Sequence, residues 1–279
     1  MTDKKPFDLN QHTFALLRQE PFFAALSRRI TKMPTNAIPT AGVKLNKETA
    51  QFEMIYNPDF FAKLSDTHIA GVLKHEFYHI IFEHVTGRLP PEGMSMLWNV
   101  ATDLSINSHL TGELPEGALI PAEGRFEKYP KGKSAEWYFT ELQNDPDMQP
   151  DDGDGQGDGE GGQGDAGNGT PQSLDDHSGW GEADAETRAM ARERLKQAVE
   201  DAAKEASSRG SWGSVSSETR KKIMDMINPK VDWRKVLRYF IKTSQKSNKR
   251  STVRRINKRF PYIHAGKKVS RTAKIAISI

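Results

Sequence analysis

The sequence predicts an α+β fold that is mainly helical and contains one small β-hairpin. Apolar residues recur at helical spacing in several segments, two short segments alternate apolar and polar residues, and capping residues precede most of the helical segments. Hydrophobic residues make up only 36% of the 279 positions. Some segments must therefore lie outside the packed core.

Residues 9–64 are predicted to form a helix, the hairpin and a second, short helix. Apolar residues at helical spacing predict the first helix over about Leu9–Met33. The alternating segments Ala41–Asn46 and Gln51–Asn57 are the two predicted strands. Asn57 is a suitable cap and Pro58 a suitable first residue for the short helix that follows.

The next helix is predicted to be buried, because apolar residues occupy most of its circumference. Ser65 is its expected cap, and we expect the helix to run to about Thr86 and to stop at Gly87. Two further amphipathic helices are predicted over about Met94–Leu110 and Ser134–Asn144.

The buried helix carries His75-Glu76-Phe77-Tyr78-His79, which is a His-Glu-x-x-His motif. Two imidazoles four residues apart lie one turn apart on one face of a helix, so they can share a metal ion. Glu76 is then placed to take a proton from water bound to that ion. The chain has no cysteine, so the ion must be held by His, Asp or Glu. These residue types predict a Zn²⁺ hydrolase site; the alternative is a pair of histidines satisfied within the core.

A third zinc ligand is expected from another element, and Asp103 is the predicted one. It follows His79 by 24 residues and lies in a helix that is otherwise mostly apolar. A lone carboxylate in that setting needs a counter-charge, which a zinc ion would supply. The alternative is that Asp103 binds a backbone amide or an arginine. His109 is a second, weaker candidate ligand.

The residues around the expected ligands have predicted roles of their own. On an ideal helix His84 is half a turn round from His75, and no glycine between the motif and His84 turns the chain back, so His84 is expected to face away from the metal. Asn99 and Asn107 lie one helical turn either side of Asp103 and are expected to support the ligands. The strand before the motif helix, as an edge strand, is expected to pair with an extended substrate.

The second half of the chain is divided sharply by charge. Residues 145–185 contain twelve acidic residues and no Lys or Arg, and Asp151–Gly169 is almost wholly Gly and Asp, which predicts a flexible linker. Arg220–Lys274 contains nineteen Lys and Arg against two acidic residues. This basic segment either binds nucleic acid, or forms a solvated face, or docks the acidic linker.

Several motifs together resemble a known family. Gly71-Val72-Leu73-Lys74-His75-Glu76-x-x-His79 with His84 and Arg88, then Trp98-Asn99-x-Ala101-x-Asp103-x-x-x-Asn107, resemble the metallopeptidase domain that precedes a von Willebrand factor A-like domain in bacterial and phage proteins. Three later segments also resemble that family, namely Asp175-Asp176-His177-Ser178-x-Trp180, Val231-Asp232-Trp233-Arg234 and Arg254-Arg255-x-Asn257.

The resemblance implies a zincin-like fold, with His75, His79 and Asp103 as zinc ligands and Glu76 as the catalytic residue. It also implies a MoxR-type AAA+ ATPase as a partner. Ala273–Ile279 resembles the first strand of the A-like domain, but the Asp-x-Ser-x-Ser motif expected next does not follow. We therefore expect that domain to be truncated here and its metal site to be missing.

The expected organisation has four parts: a zincin-like metallopeptidase domain over 1–144, an acidic Gly/Asp-rich linker over 145–181, a charged, basic helical region over 182–272, and the truncated strand over 273–279. His177, just after the Gly/Asp stretch, is expected to be an exposed loop histidine; the alternative is that it reaches the zinc as an internal inhibitor.

Two functions from different classes follow from these expectations. The first is a zinc-dependent metallopeptidase that hydrolyses protein or peptide substrates. The alternative is a catalytically inactive, metal-containing scaffold or adaptor for an AAA+ ATPase or nucleic acid. The chain starts without a signal-peptide pattern and has no apolar run long enough to span a membrane, so we expect a cytoplasmic protein with no membrane partner.

Overall fold

The computed structural model describes residues 7, 9–90, 93–148, 180, 183–228, 233–244, 246–260 and 263–272. It contains two compact units, Met1–Ile227 and Asn228–Ile279. Helices predominate over two small sheets, which is the mixed composition expected of an α+β fold. Within the described ranges no helix is both long enough and apolar enough to cross a membrane.

The first unit contains eight of the helices and the three-stranded sheet among the described residues. Its helices are α1 (Leu9–Gln19), α2 (Pro21–Ser27), α3 (Pro58–Phe61), α4 (Asp66–Ile81), α5 (Met96–Asn107), α6 (Ala135–Gln143), α7 (Ala185–Ser208) and α8 (Ser217–Ile227). Its strands are β1 (Thr31–Pro34), β2 (Ala41–Leu45) and β3 (Phe52–Tyr56). The second unit contains α9 (Trp233–Ser244), β4 (Lys246–Ile256) and β5 (Ala265–Thr272).

The three-stranded sheet corrects two expectations. The predicted helix over Leu9–Met33 is divided into α1, α2 and β1, because Glu20, which precedes Pro21, leaves the helical conformation. The predicted β2–β3 hairpin is confirmed, with Val43 opposite Met54. However, β1 pairs with β3 in parallel, so β3 is the central strand rather than an edge. The prediction that β3 pairs with a substrate is therefore wrong.

Helix α4 lies at the centre of the first unit, as its apolar circumference predicts. Leu73 and Phe77 are fully buried in the main core with Phe22 and Phe23 of α2. Helix α7 contributes to the same core through a stripe of small and aliphatic residues: Ala191, Leu195, Val199, Ala202, Ala203 and Ala206. Residues 183–227 thus pack with the motif helix, whereas the sequence grouped them with the basic region over 182–272.

A buried lysine connects α4 to three other segments. The Lys74 side chain is 2% exposed; its Nζ lies 3.2 Å from Glu20 Oε1 and also forms an ion pair with Glu113. Lys74 Nζ donates to Ser214 Oγ at 3.0 Å, and Glu20 Oε2 accepts from the Ser214 amide at 2.7 Å. Because a buried ammonium is tolerated only when it is paired, this cluster holds its four segments in one arrangement.

The second unit is not wholly helical, which corrects the expectation of a basic helical region. After α9 the chain forms β4 and β5, an antiparallel ribbon in which Arg250 lies opposite Lys268. The β-branched residues Thr252, Val253 and Ile256 favour the extended conformation there. The predicted strand Ala273–Ile279 lies outside the described residues, as does the acidic Asp151–Gly169 segment.

Gly71 of α4 allows the segment after α5 to approach that helix closely. A Cβ at position 71 would lie only 1.9 Å from the backbone oxygen of Glu113. Gly→Ala in a helix ordinarily stabilises by about 1 kcal/mol. We expect Gly71→Ala instead to lower the free energy of unfolding by about 1–3 kcal/mol, because the backbone of residue 113 must move. Urea denaturation measures the change, and an increase in stability would contradict this packing.

Candidate metal centre

His75, Glu76 and His79 of the motif lie on α4 and are buried in the interior. The first turn of α4 is capped by Ser65, whose Oγ accepts a hydrogen bond from the His68 amide at 3.2 Å. His79 and Glu76 are fully buried and His75 is 6% exposed. The cap and the apolar residues around the helix therefore fix both imidazoles and the carboxylate inside the core.

Helix α5 brings Asp103 to the same point. Ser95 caps α5 through the Trp98 amide, and Asp103 is 1% exposed. Asp103 Oδ1 lies 3.4 Å from His79 Nε2 and 3.8 Å from His75 Nε2, and the two Nε2 atoms are 2.9 Å apart. The predicted three residues thus converge in one buried cluster.

The dimensions of this cluster fit a divalent metal ion. Zinc–nitrogen and zinc–oxygen bonds of about 2.0–2.2 Å in tetrahedral geometry place ligand atoms about 3.3–3.6 Å apart. The separations of 2.9, 3.4 and 3.8 Å bracket that value. Two imidazoles and a carboxylate are also a ligand set that zinc accepts. His75, His79 and Asp103 are therefore the residues that would hold the ion.

Asn107 determines which ring nitrogen of His75 is available to bind a metal ion. Its side-chain amide donates from Nδ2 to the Leu119 carbonyl at 2.9 Å, so its Oδ1 faces His75 Nδ1 at 2.7 Å. An amide oxygen only accepts, so His75 must carry its proton on Nδ1. His75 Nε2 is then left with its lone pair directed at the cluster. Asn107 thus contacts a candidate ligand, as its predicted supporting role requires.

His84 lies beside the cluster, contrary to the expectation that it faces away. Helix α4 ends at Ile81, five residues before the predicted Thr86, and Glu83 adopts a left-handed conformation with φ of 58°. This conformation turns the chain back without a glycine. His84 is fully buried, and its Nδ1 lies 3.2 Å from His79 Nδ1. The sequence carried no signal for this turn, since glycine and asparagine are the usual residues there.

The other candidates from the sequence lie elsewhere. His109 packs its ring 5.8 Å from Tyr78 and 5.9 Å from Phe82, and burial, followed by the charge of Lys222, lowers its pKa. Asn99 makes no side-chain hydrogen bond to Asp103 among the described residues. His177 lies outside them. Among the described residues, His109 therefore lies outside the cluster, and Asn99 does not support Asp103 through a side-chain hydrogen bond.

Glu76 shares a small cavity with the cluster. His75, Glu76, Asp103 and Asn107 are its polar lining residues, and its apolar lining consists of Phe60, Val72, Leu114, Ala118 and Leu119. The Glu76 carboxylate thus borders the same cavity as the candidate ligands His75 and Asp103. A carboxylate and a metal ion that border one small cavity can act on the same water molecule.

Trp180 packs against the ring of His79; the sequence named it only within a segment that resembles the family and gave it no role in the site. Its indole is 4% exposed, lies 5.0 Å from the His79 ring between centroids, and donates to the Val43 carbonyl at 2.7 Å. Val43 belongs to β2, an edge strand of the sheet. The Trp180 indole therefore occupies a backbone acceptor of this edge strand while its ring packs against His79.

The fold and the cluster together define a candidate metal-binding domain of the α+β class. The chain belongs to the family described as "Putative metallopeptidase domain", whose model matches residues 4–271. It is also similar to a Thermotoga maritima protein named "Uncharacterized protein", with 24% identity over 260 residues. That match covers 88% of this chain and 61% of the relative's length. No solved structure gives a significant match.

We expect Asp103→Asn to weaken zinc binding by more than about 100-fold, because loss of a ligand exceeds the 10–100-fold effect of altering a supporting residue. Isothermal titration of metal-free protein with Zn²⁺ measures the affinity. His109→Ala is the matched control, since His109 is half-buried nearby but does not join the cluster. Equal affinities for Asp103→Asn and the wild type would remove Asp103 from the ligand set.

Proposed function

We propose that this chain is a zinc-dependent metallopeptidase with a zincin-like arrangement of its motif helix. One observation carries the proposal: His75, His79 and Asp103 converge, and Glu76 borders the cavity that His75 and Asp103 line. Membership of a metallopeptidase family supports it. The proposed substrates are proteins or peptides.

The chemistry assigned to each residue follows from its position. When bound, zinc would supply Lewis-acid polarisation of a peptide carbonyl and would lower the pKa of water. Glu76 takes the proton of the attacking water and passes it to the leaving amine as the peptide bond breaks. Asn107 keeps the His75 Nε2 atom unprotonated, so that this imidazole can act as a neutral ligand.

The proposed mechanism predicts a specific separation of binding from catalysis. Glu76→Gln removes the base but leaves the ligand set unchanged, so we expect it to keep one zinc per chain and to lower the rate of peptide cleavage by about 100- to 10,000-fold. Elemental analysis and cleavage of a random peptide library measure the two effects. Glu127→Gln, which alters an exposed glutamate, is the control and should cut at the wild-type rate.

A second candidate function is a metal-containing adaptor without catalytic activity. Two observations favour it: the His75, His79 and Asp103 side chains are almost completely buried, and the second unit is strongly basic. If wild-type protein holds zinc but cuts no peptide in the library, this second function replaces the first. The MoxR-type ATPase implied by the resemblance stays a predicted partner under both functions.

The ribbon of the second unit is the part suited to binding nucleic acid. Residues 228–279 contain sixteen Lys and Arg against one acidic residue, Asp232. Arg250 and Lys268 lie directly opposite each other on β4 and β5, and both are exposed. Like charges in this register destabilise a ribbon, and a phosphate backbone would relieve the repulsion.

Nucleic-acid binding by the ribbon is tested by its salt dependence. If the ribbon contacts phosphates, the logarithm of the association constant for random duplex DNA falls with the logarithm of salt concentration, with a slope of about −0.9 per contact. We expect Lys268→Gln to reduce the slope by about one contact. The control Lys63→Gln, an exposed lysine of the first unit, should not. A wild-type slope near zero contradicts nucleic-acid binding.

A further inference from the structure

The end of α4 forms a specific hydrogen-bonded turn that brings His84 back to the ligand helix. The Glu83 amide donates to the Ile80 carbonyl at 3.0 Å, and the His84 amide donates to the His79 carbonyl at 3.0 Å. With Glu83 in the left-handed conformation, these two bonds constitute a Schellman motif. The backbone of His79 is thereby bonded directly to the backbone of His84.

The residue in the left-handed position is unusual for this turn. Glycine takes that conformation without steric cost, whereas Glu83 carries a Cβ that costs about 1–2 kcal/mol. The conformation is held by contacts around it: the Glu83 carbonyl accepts from the amides of Gly87 and Arg88, and Glu83 Oε2 lies 3.5 Å from Arg192 Nε. The turn is therefore over-determined by its surroundings, which is typical of a position under functional constraint.

The side chain of His84 meets the one nitrogen of His79 that faces away from the cluster. His84 Nδ1 is 3.2 Å from His79 Nδ1, and the two rings are nearly perpendicular at 68°. His79 Nε2 points to His75 and Asp103 and would coordinate the metal through its lone pair. A neutral imidazole then carries its proton on Nδ1, which His84 Nδ1 can accept.

We propose that His84 is a positioning residue of the metal centre, which holds His79 in the tautomer and the ring orientation that metal binding requires. The proposal rests on the metal site proposed above and deepens it. His84 accepts the Nδ1 proton of His79, as Asn107 accepts that of His75. Each of the two imidazoles thus has a hydrogen-bond acceptor at its Nδ1 atom. Such partners raise ligand basicity and typically contribute 10- to 100-fold in metal affinity.

The test compares two replacements of His84 in a protein that need not be active. In the Glu76→Gln background, we expect His84→Phe, which keeps the ring but has no acceptor, to weaken Zn²⁺ binding by about 10- to 100-fold. His84→Asn places an amide oxygen near the former Nδ1 and should recover most of the loss. His109→Phe is the matched control and should bind zinc like its parent. Competition with a chromophoric chelator measures the affinities.

A Co²⁺ spectrum distinguishes positioning from a general loss of folding. His84→Phe should shift the visible absorption of bound Co²⁺, while His84→Asn and His109→Phe should keep the wild-type bands. Equal zinc affinities and equal spectra for all of these variants would overturn the proposal. If the zinc affinities follow the expected order but the wild-type protein cleaves no peptide, the peptidase function is refuted and the role of His84 is not. Absence of metal binding by the wild type would overturn both.

Glu83 provides an independent route should His84→Phe fail to fold. Glu83→Gly permits the left-handed conformation and should leave the zinc affinity unchanged. Glu83→Val places a β-branched residue there and should lower the affinity through displacement of His84, although residue 83 is not a ligand. If both variants fold and bind zinc equally well, the turn does not position His84 for the metal.

Discussion

Two buried imidazole nitrogens that face each other at 2.9 Å form the contact on which the rest of the centre depends. A neutral imidazole has one acceptor nitrogen, so two acceptors at this distance repel unless a proton or a cation lies between them. The carboxylate of Asp103 beside them favours the cation. The arrangement therefore requires that α4 and α5 stay packed together. It also requires hydrogen-bond partners for the Nδ1 atoms of His75 and His79. Asn107 and His84 are those partners.

The scaffold around α4 meets this requirement through both apolar and ionic contacts. The apolar core encloses the helix, and the Lys74 cluster ties the residue next to His75 to Glu20, Glu113 and Ser214. Gly71 lets the segment at Glu113 approach the helix backbone. That segment leads on to Leu119, whose carbonyl orients Asn107. Packing at Gly71, one turn before His75 on the same face of α4, is thus connected through the chain to the tautomer of His75.

Local patterns predicted the three residues of the cluster because their arrangement follows helical spacing. The His-Glu-x-x-His spacing depends only on the rise and turn of α4, and Asp103 could be inferred because a carboxylate in an apolar helix requires a counter-charge. The turn at Glu83 could not be predicted, since its residue type disfavours the conformation that tertiary contacts impose. The parallel pairing of β1 could not be predicted either, because its partner β3 lies more than twenty residues further along the chain.

The number of ligands bears on the choice between the two proposed functions. Structural zinc sites are closed by four protein ligands, whereas catalytic sites use three and leave one position for water or substrate. Within the described residues, the cluster comprises three such groups. Glu76 borders the adjoining cavity. A general base at that place is useful only if a water molecule in the cavity is deprotonated. A structural site gains nothing from a buried glutamate beside its ion, because the extra carboxylate must be desolvated. The position of Glu76 therefore favours the proposed catalytic function over the proposed structural one.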